Sequence, residues 1–333
     1  MTGQTMRAVR VHGWGGPLRV DDVPVPRRGE GETLVRVEAA AVAHLDLTVA
    51  SGNFTIKPEL PYVGGVEGCG VVVESDALEP GTRVLLRGGG LGLIRGGTWA
   101  EYVVTRSKTL VPAVEGLSPE LGACFFVPTT TAHVALHEVG RIGAWGVEGV
   151  EKTSDEVVVV AGAAGAVGSM VVQLALRAGC SVIGLVAREE QRGLVAPGAE
   201  AIAADQADRL AALAKDRTAT LLVDTVGGAD LPGRCTWVRP GGRAVLVGYV
   251  AGTDIDIHLP NWLLDDVALL PVNMIRREVA AREHAHALAE MLVSGDLTLG
   301  VESFPMEEAG RAIDLLAAGR VGGRAVIVPP ALE

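Results

Sequence analysis

Through the first 125 residues, apolar and polar positions alternate in short runs, among them ETLVRVEAA, GCGVVVES, TRVLLRG and TWAEYVVT, cut by glycine and proline turns. Period-two alternation of this kind predicts strands with one buried face, so this part reads as a β-rich domain. From about 156 to 250 the pattern changes to near-continuous apolar runs, VVVVAG, SVIGLV, TLLVDTV and RAVLVGYV, separated by stretches with helical spacing such as SMVVQLALRAG and LAALAK. Apolar strands alternating with helices predict βαβ units and a parallel sheet covered by helices, an α/β architecture. Between the two parts, SPELGACFFVPTTTAHVALHEVG opens with a serine-proline helix start and bridges them. The C-terminal part predicts a helix over about 279–294, a strand near 297–302, a helix from Met306 to Ala318, and a last strand at RAVIVP.

One stretch tests this reading. Val157 to Leu176 is uncharged throughout and long enough to span a bilayer. It contains three glycines, a serine and a glutamine, and its first part is a β-branched run while its second is helical, so it is expected to be a strand followed by a helix and not a membrane span. The net charge of −11 disfavours nucleic-acid and anionic-lipid partners. Cys69, Cys124, Cys180 and Cys235 are scattered without a C-x-x-C pair, and the chain opens without a secretory apolar core. These features predict a reduced, cytoplasmic protein acting on a small molecule.

The candidate chemistry centres on VVVVAGAAGAVGSMVVQLALRAG, which places Gly162, Gly165 and Gly168 directly between a strand and a helix. A dinucleotide site needs glycines there for the tight turn, for close approach to a pyrophosphate, and for helix-on-strand packing. The helix N-terminus then holds the phosphates. The second strand ends in Val186 and Ala187, followed by Arg188, with no carboxylate where a ribose 2′-hydroxyl is usually held. Arg188, with Arg192 one turn further on, predicts a 2′-phosphate and hence NADPH, while Glu189 and Glu190 argue mildly for NADH.

Taken together, ELPYVGGVEGCGVVVES, GTRVLLRGGG, GTWAEYVV, PTTTAHVAL, VVVVAGAAGAVG, VDTVGG and GRVGGRAVIVP resemble the medium-chain dehydrogenase/reductase superfamily, and within it the zinc-free quinone oxidoreductase and enoyl reductase branch. The resemblance implies a GroES-like β-rich catalytic domain over 1–125, completed by 280–333, and a Rossmann domain, a doubly wound parallel sheet, over 126–279. It implies a homodimer formed by edge-strand pairing around Val267 to Met274. It also extends the cofactor contacts to Thr131, Ala164, Ala166, Val167, Val226, Gly248, Tyr249 and Arg324.

Zinc relatives carry a C-H-x-D motif that here reads Ala43, His44, Leu45, Asp46, and a G-H-E motif that here reads Gly65, Val66, Glu67. Two of three ligands are replaced, and no cysteine occurs between Cys69 and Cys124 for a structural lobe. No bound metal is therefore expected. Without a Lewis acid the better acceptors are quinones and α,β-unsaturated carbonyls, whose reduced forms delocalise the negative charge. The catalytic groups of the two nearest branches are also displaced. Asn, Asp and Tyr of quinone oxidoreductases fall on Ala43, Asp46 and Thr48, and the enoyl reductase tyrosine falls on Phe54.

His44 and Thr48 are the expected proton and hydrogen-bond donors, with Tyr249 at the end of the fifth strand as a third. Asp46 is expected to be a structural partner within its loop. Tyr62 is read as loop packing, His133 as packing, and His284 and His286 as solvated helix residues. Arg276 and Arg277 are left open between cofactor, anionic substrate and dimer contact. The loop from Arg87 to Gly97 is read as a mobile entrance or the remnant of a lost metal lobe. The predicted activity is a zinc-independent NADPH-dependent reductase. The alternatives are an NADPH-binding protein with little turnover and a natural-product tailoring reductase of the same fold.

Overall fold

The computed structural model describes residues 4–145 and 156–330, which fall into two compact units, Met1–Phe126 with Leu299–Glu333, and Val127–Thr298. In the first unit the alternating runs form a seven-stranded sheet, ordered Val301–Pro305, Arg324–Val328, Glu32–Val42, Glu67–Glu74, Arg83–Arg87 and Val111–Pro112, with Tyr102–Arg106 also pairing on Glu32–Val42. Leu18–Pro24, Thr5–Val11 and Tyr62–Val63 form a second, three-stranded sheet. Pairing is antiparallel except between Val301–Pro305 and Arg324–Val328. Val35, Val37, Val84, Leu86, Trp99, Val103, Met306 and Ile327 fill its largest core, and the Trp99 indole donates to the Ala41 carbonyl at 2.9 Å. A buried indole N–H needs such a partner.

The second unit is a six-stranded, wholly parallel sheet ordered Glu200–Ala203, Ser181–Val186, Val157–Ala161, Ala219–Asp224, Val238–Leu246 and Ala268–Pro271. All six residues of Ala219–Asp224 are buried, as expected of a strand covered on both faces. The strand order reverses beside Val157–Ala161, and ligands of open parallel sheets gather at the carboxyl ends of strands at such a reversal.

Val157 to Leu176 divides as its composition requires, into the strand Val157–Ala161 and the helix Ala166–Arg177. No helix among the described residues is long and apolar enough to cross a membrane. The return to the first unit comes at Leu299 and not near 280. The helix Glu278–Ser294 and the turn after it are tied to the second unit: Gln173 exchanges hydrogen bonds with the Thr298 backbone at 2.8 Å, and Arg177 pairs with Asp296 at 3.2 Å.

Candidate active site

The glycine turn is shaped by its own backbone. Gly162 has a φ of +79°, and a Cβ there would lie 2.3 Å from the Thr225 hydroxyl. A Cβ on Gly168 would lie 2.1 Å from the Gly162 carbonyl oxygen, so helix and turn meet only because both positions lack side chains. The amides of Gly162 and Ala163 donate to the Leu185 carbonyl at 3.0 Å, pinning the turn to the neighbouring strand, and the Gly165 amide donates to Gly162. Ala164 lies at the tip. Gly165 is the helix N-cap and has no side chain to cap it, so the first amides, those of Ala166, Val167 and Gly168, face outward from a helix N-terminus. That arrangement suits an anion.

Beside it, Asp224 is buried and accepts from the amides of Val226 at 2.9 Å and Gly227 at 2.7 Å and from Arg234 Nε at 2.6 Å. These bonds shape the VDTVGG turn. Gly248 lies against the Thr225 backbone, while Tyr249 after it is 69% exposed. Thr131 is buried in the helix Phe126–His133.

At the end of the second strand Arg188 is exposed, and its amide donates to Gln191 Oε1 at 3.1 Å to open the turn Glu189–Leu194. Arg192 departs from its expected role. Its Nη1 lies 2.7 Å from Glu189 Oε1 and its Nε donates to the Ala201 carbonyl at 2.9 Å, which joins both the second arginine and the carboxylate that argued for NADH in a local pair.

His284 also departs from expectation. Its ring lies 4.0 Å from that of His133 between centroids, tilted by 38°, and His133 lies 4.6 Å from His137, tilted by 40°. Burial and these neighbours push the His133 imidazole down to about 4. Arg277 pairs with Glu138 at 3.1 Å.

In the first unit, Asp46 acts as a buried cap for the helix His44–Ala50. Its Oδ2 accepts from the Ala43 amide at 2.8 Å and its Oδ1 from the Val66 amide at 3.2 Å. Burial, together with nearby Glu67, nevertheless raises its carboxyl to about 7. Thr48 donates its hydroxyl proton to the His44 carbonyl at 3.0 Å, so the expected donor is engaged within the helix. His44 is exposed at the start of that helix, where partial desolvation and the charge of Arg324 lower its pKa.

Phe54 packs with Val11, Val49 and Tyr62. Tyr62 is a buried strand residue beside Trp14, at 6.1 Å, and burial followed by the Asp46 charge pushes its phenol up, away from use as an acid. A cavity of about 700 Å³ in this unit is lined by Met6, Lys57, Tyr62, Ile94 and Tyr102 among others, and none of His44, Thr48 or Asp46 reaches it.

Arg324, expected to contact the cofactor, is instead nine-tenths buried against Glu67, with Nη2 and Oε2 3.1 Å apart. Arg87 approaches the same carboxylate from the neighbouring antiparallel strand, its Nε 3.2 Å from Glu67 Oε1 and its guanidinium 4.1 Å above the Phe126 ring. Burial outweighs both arginines and keeps the Glu67 carboxyl above its usual range. The loop following Arg87 is folded, with Leu91 buried, Ile94 and Arg95 both donating to Gly90, and Arg95 bound to Glu32 at 2.9 Å.

Sequence reading assigned no role to Arg87. A charged residue ending a strand is ordinarily solvated, and only the strand register places it opposite Glu67.

A zinc ion does not fit these residues. Ala43 and Val66 carry no donor atoms, Glu67 is committed to two guanidinium groups, and among the described residues no cluster of three His, Cys, Asp or Glu side chains is arranged to hold a metal.

Two family patterns match this chain: the alcohol dehydrogenase GroES-like domain over residues 29–115 and the zinc-binding dehydrogenase over residues 166–291. The chain belongs to the medium-chain dehydrogenase/reductase superfamily. It is 28% identical to the quinone oxidoreductase of Rattus norvegicus over 96% of its own length and 98% of the relative's. It is 27% identical to an alcohol dehydrogenase of Geobacillus stearothermophilus over 97% and 99%. The Escherichia coli quinone oxidoreductase, solved as a complex with NADPH, superposes with a TM-score of 0.80 at 20% identity, covering 97% of this chain and 100% of that one, and so shares the superfamily fold.

Proposed function

We propose that this superfamily member is an NADPH-dependent, zinc-independent reductase that delivers hydride to a quinone or to the β-carbon of an α,β-unsaturated carbonyl. The observation that carries the reading is the glycine turn at the strand-order reversal, with Arg188 where a ribose-binding carboxylate would otherwise stand. Relatives named quinone oxidoreductase, and the NADPH complex of the Escherichia coli enzyme, support cofactor and reaction class.

When bound, NADPH supplies two electrons as a hydride. The amides of Ala166, Val167 and Gly168 hold the pyrophosphate, Arg188 binds the 2′-phosphate, and Thr131, Val226 and Gly248 belong to the cofactor surface. His44 is the candidate donor of the proton that completes the reduced product. The first unit, with donor-free side chains at Ala43 and Val66, works without a metal. Four unpaired, buried cysteines agree with a reducing, cytoplasmic setting.

The edge strand Ala268–Pro271, with the exposed Leu263, Leu264, Ile275 and Val279 near it in sequence, supports a homodimer, which sedimentation at micromolar concentration tests. The engagement of Thr48 within its helix favours a second reading, cofactor binding with little turnover.

The discriminating experiment combines an NADPH titration, with NADH in parallel, and cofactor consumption across ortho- and para-quinones, enones, enals and enoyl thioesters. Turnover with NADPH preferred supports the reductase. Tight binding without turnover supports the second reading, and no binding removes both.

A further inference from the structure

The strand register of the first unit builds the walls of its cavity. Side chains alternate along Thr5–Val11, so Met6, Ala8 and Arg10 project to one face, Met6 opposite Val23 on one neighbouring strand and Arg10 opposite Val63 on the other. From the larger sheet, Tyr102 and Val104 alternate in the same way, and Met6, Val23, Val63, Tyr102 and Val104 pack in one apolar cluster. Every residue lining the cavity lies between Met6 and Val104, so the cavity belongs entirely to this unit. Its volume of about 700 Å³ is that of a small-molecule site. Strands and four prolines, Pro24, Pro26, Pro58 and Pro61, form much of its wall, and their fixed backbone leaves little to order when a ligand enters.

Charge at the cavity is unevenly committed. Arg10, Lys57 and Arg95 line it together with Glu32 and Glu59. Arg10 donates to Asp21 at 3.3 Å and to the Pro61 carbonyl at 2.9 Å, which occupies both of its terminal nitrogens. Glu32 accepts from the Gly29 amide at 3.0 Å and from Arg95 Nη1 at 2.9 Å, and these bonds hold its carboxyl below the usual range. Among the described residues, Arg95 engages no side-chain nitrogen other than Nη1, and neither Lys57 nor Glu59 has a side-chain hydrogen bond or an ion pair. The groups left over for a ligand are therefore cationic donors at Lys57 and Arg95 against one carboxylate, Glu59. Ile94, at the same cavity, is 72% exposed and offers apolar surface for a ligand to cover.

We propose that this cavity is a second binding site, for a small amphiphile that carries one carboxylate on an apolar body. The apolar part lies on Met6, Val23, Tyr102, Val104 and Ile94, and the carboxylate is received by Lys57 with Arg95 as the second donor. A monoanion suits the cavity because three cations and two carboxylates line it, in a chain whose net charge is −11. The apolar wall supplies most of the affinity, and charge-assisted bonds from the two cations select the head group. The site is separate from the candidate active-site residues, since none of His44, Thr48 or Asp46 reaches the cavity, and it stands independently of the reductase reading.

The test titrates the full-length wild type, Lys57→Gln and Gly96→Phe with octanoate, 1-octanol and octylamine by calorimetry. Lys57 is exposed and unpaired, so its replacement leaves the fold intact. Gly96 lines the cavity, and a Cβ there meets no atom within 4 Å, so an aromatic side chain takes up space at the site without displacing the backbone. The wild type is expected to bind octanoate with a Kd of about 1 mM or below, and the alcohol and the amine at least about 10-fold more weakly. Lys57→Gln weakens octanoate by about 10-fold and leaves octanol unchanged, while Gly96→Phe loses both. Melting temperature and NADPH affinity stay at their wild-type values in both variants, which separates the loss from unfolding and from binding at the cofactor surface.

Octanoate binding that is absent at about 10 mM, matched by octylamine, or indifferent to either substitution overturns the proposal. Octanol bound as tightly as octanoate overturns the carboxylate assignment even where Gly96→Phe abolishes both. If Gly96→Phe melts at a lower temperature than wild type, Lys57→Gln decides alone, through a loss confined to octanoate or the lack of one.

Discussion

Two of the buried carboxylate–guanidinium clusters, one in each unit, are built to different standards. In the second unit every nitrogen of the Arg243 guanidinium is used: Nε donates to Gly140 at 2.8 Å, Nη1 to Glu156 and to the Thr220 carbonyl, and Nη2 to the other Glu156 oxygen at 2.9 Å. Glu156 also accepts from the Thr220 hydroxyl and the Gly143 amide. Burial opposes its ionisation, but these partners prevail and its pKa is lowered. In the first unit Glu67 has two arginines and fewer completed bonds, and burial prevails, so its pKa is raised. A saturated cluster serves as scaffold. One that leaves Glu67 Oε1, Arg87 Nη1 and Arg324 Nε buried without partners offsets less of its desolvation cost.

The comparison predicts where substitution is costly. Arg243→Met leaves Glu156 buried without its main partner and is expected to destabilise by about 3–5 kcal/mol, lowering the melting temperature of the second unit by about 10 °C in a calorimetric scan. Arg188→Ala is expected to weaken NADPH by about 1.5–3 kcal/mol and NADH far less, read by titration of both cofactors. Equal weakening of the two would remove the 2′-phosphate assignment.

The pH response is smaller, because shifts in the two units oppose one another. A buried acid raised to about 7 favours the fold below its unfolded value and loses that contribution as pH rises through 7, which is the case for Asp46. His133, lowered to about 4, favours the fold above its unfolded value and loses the contribution as pH falls toward 4. Asp46→Asn, which forfeits one accepted bond, is therefore expected to be less stable than wild type at pH 5 and nearly equal to it at pH 8. Parallel melting curves at both values would contradict that. Smallest of all, Arg87→Met is expected to shift stability by less than about 1 kcal/mol, since Arg324 still partners Glu67.

What could be seen beforehand follows the same division. The parallel sheet and its glycine turn were legible because the backbone does the work there, and backbone requirements leave a contiguous trace, Gly162 to Gly168 between an apolar strand and a helix. Asp46 was legible as a structural partner through the family resemblance, while its bond to the Val66 amide depends on the fold. The Glu67, Arg87 and Arg324 cluster gathers side chains from three strands, two consecutive in the chain and the third 257 positions beyond Glu67, and nothing about an arginine at a strand end tells that its register partner is a buried glutamate. The contact of His284 with His133 escaped notice likewise, since it depends on tertiary neighbours. The chain's return at Leu299 was placed too early because the helical pattern over 279–294 carries no sign of which unit it packs against.

The most direct test of the account is acceptor-dependent NADPH oxidation by protein stripped with a chelator. The account predicts turnover of an enone or quinone that survives chelation, prefers NADPH to NADH, and gains nothing from added zinc. NADPH binding with no acceptor consumed, or activity that appears only when zinc is restored, would contradict it.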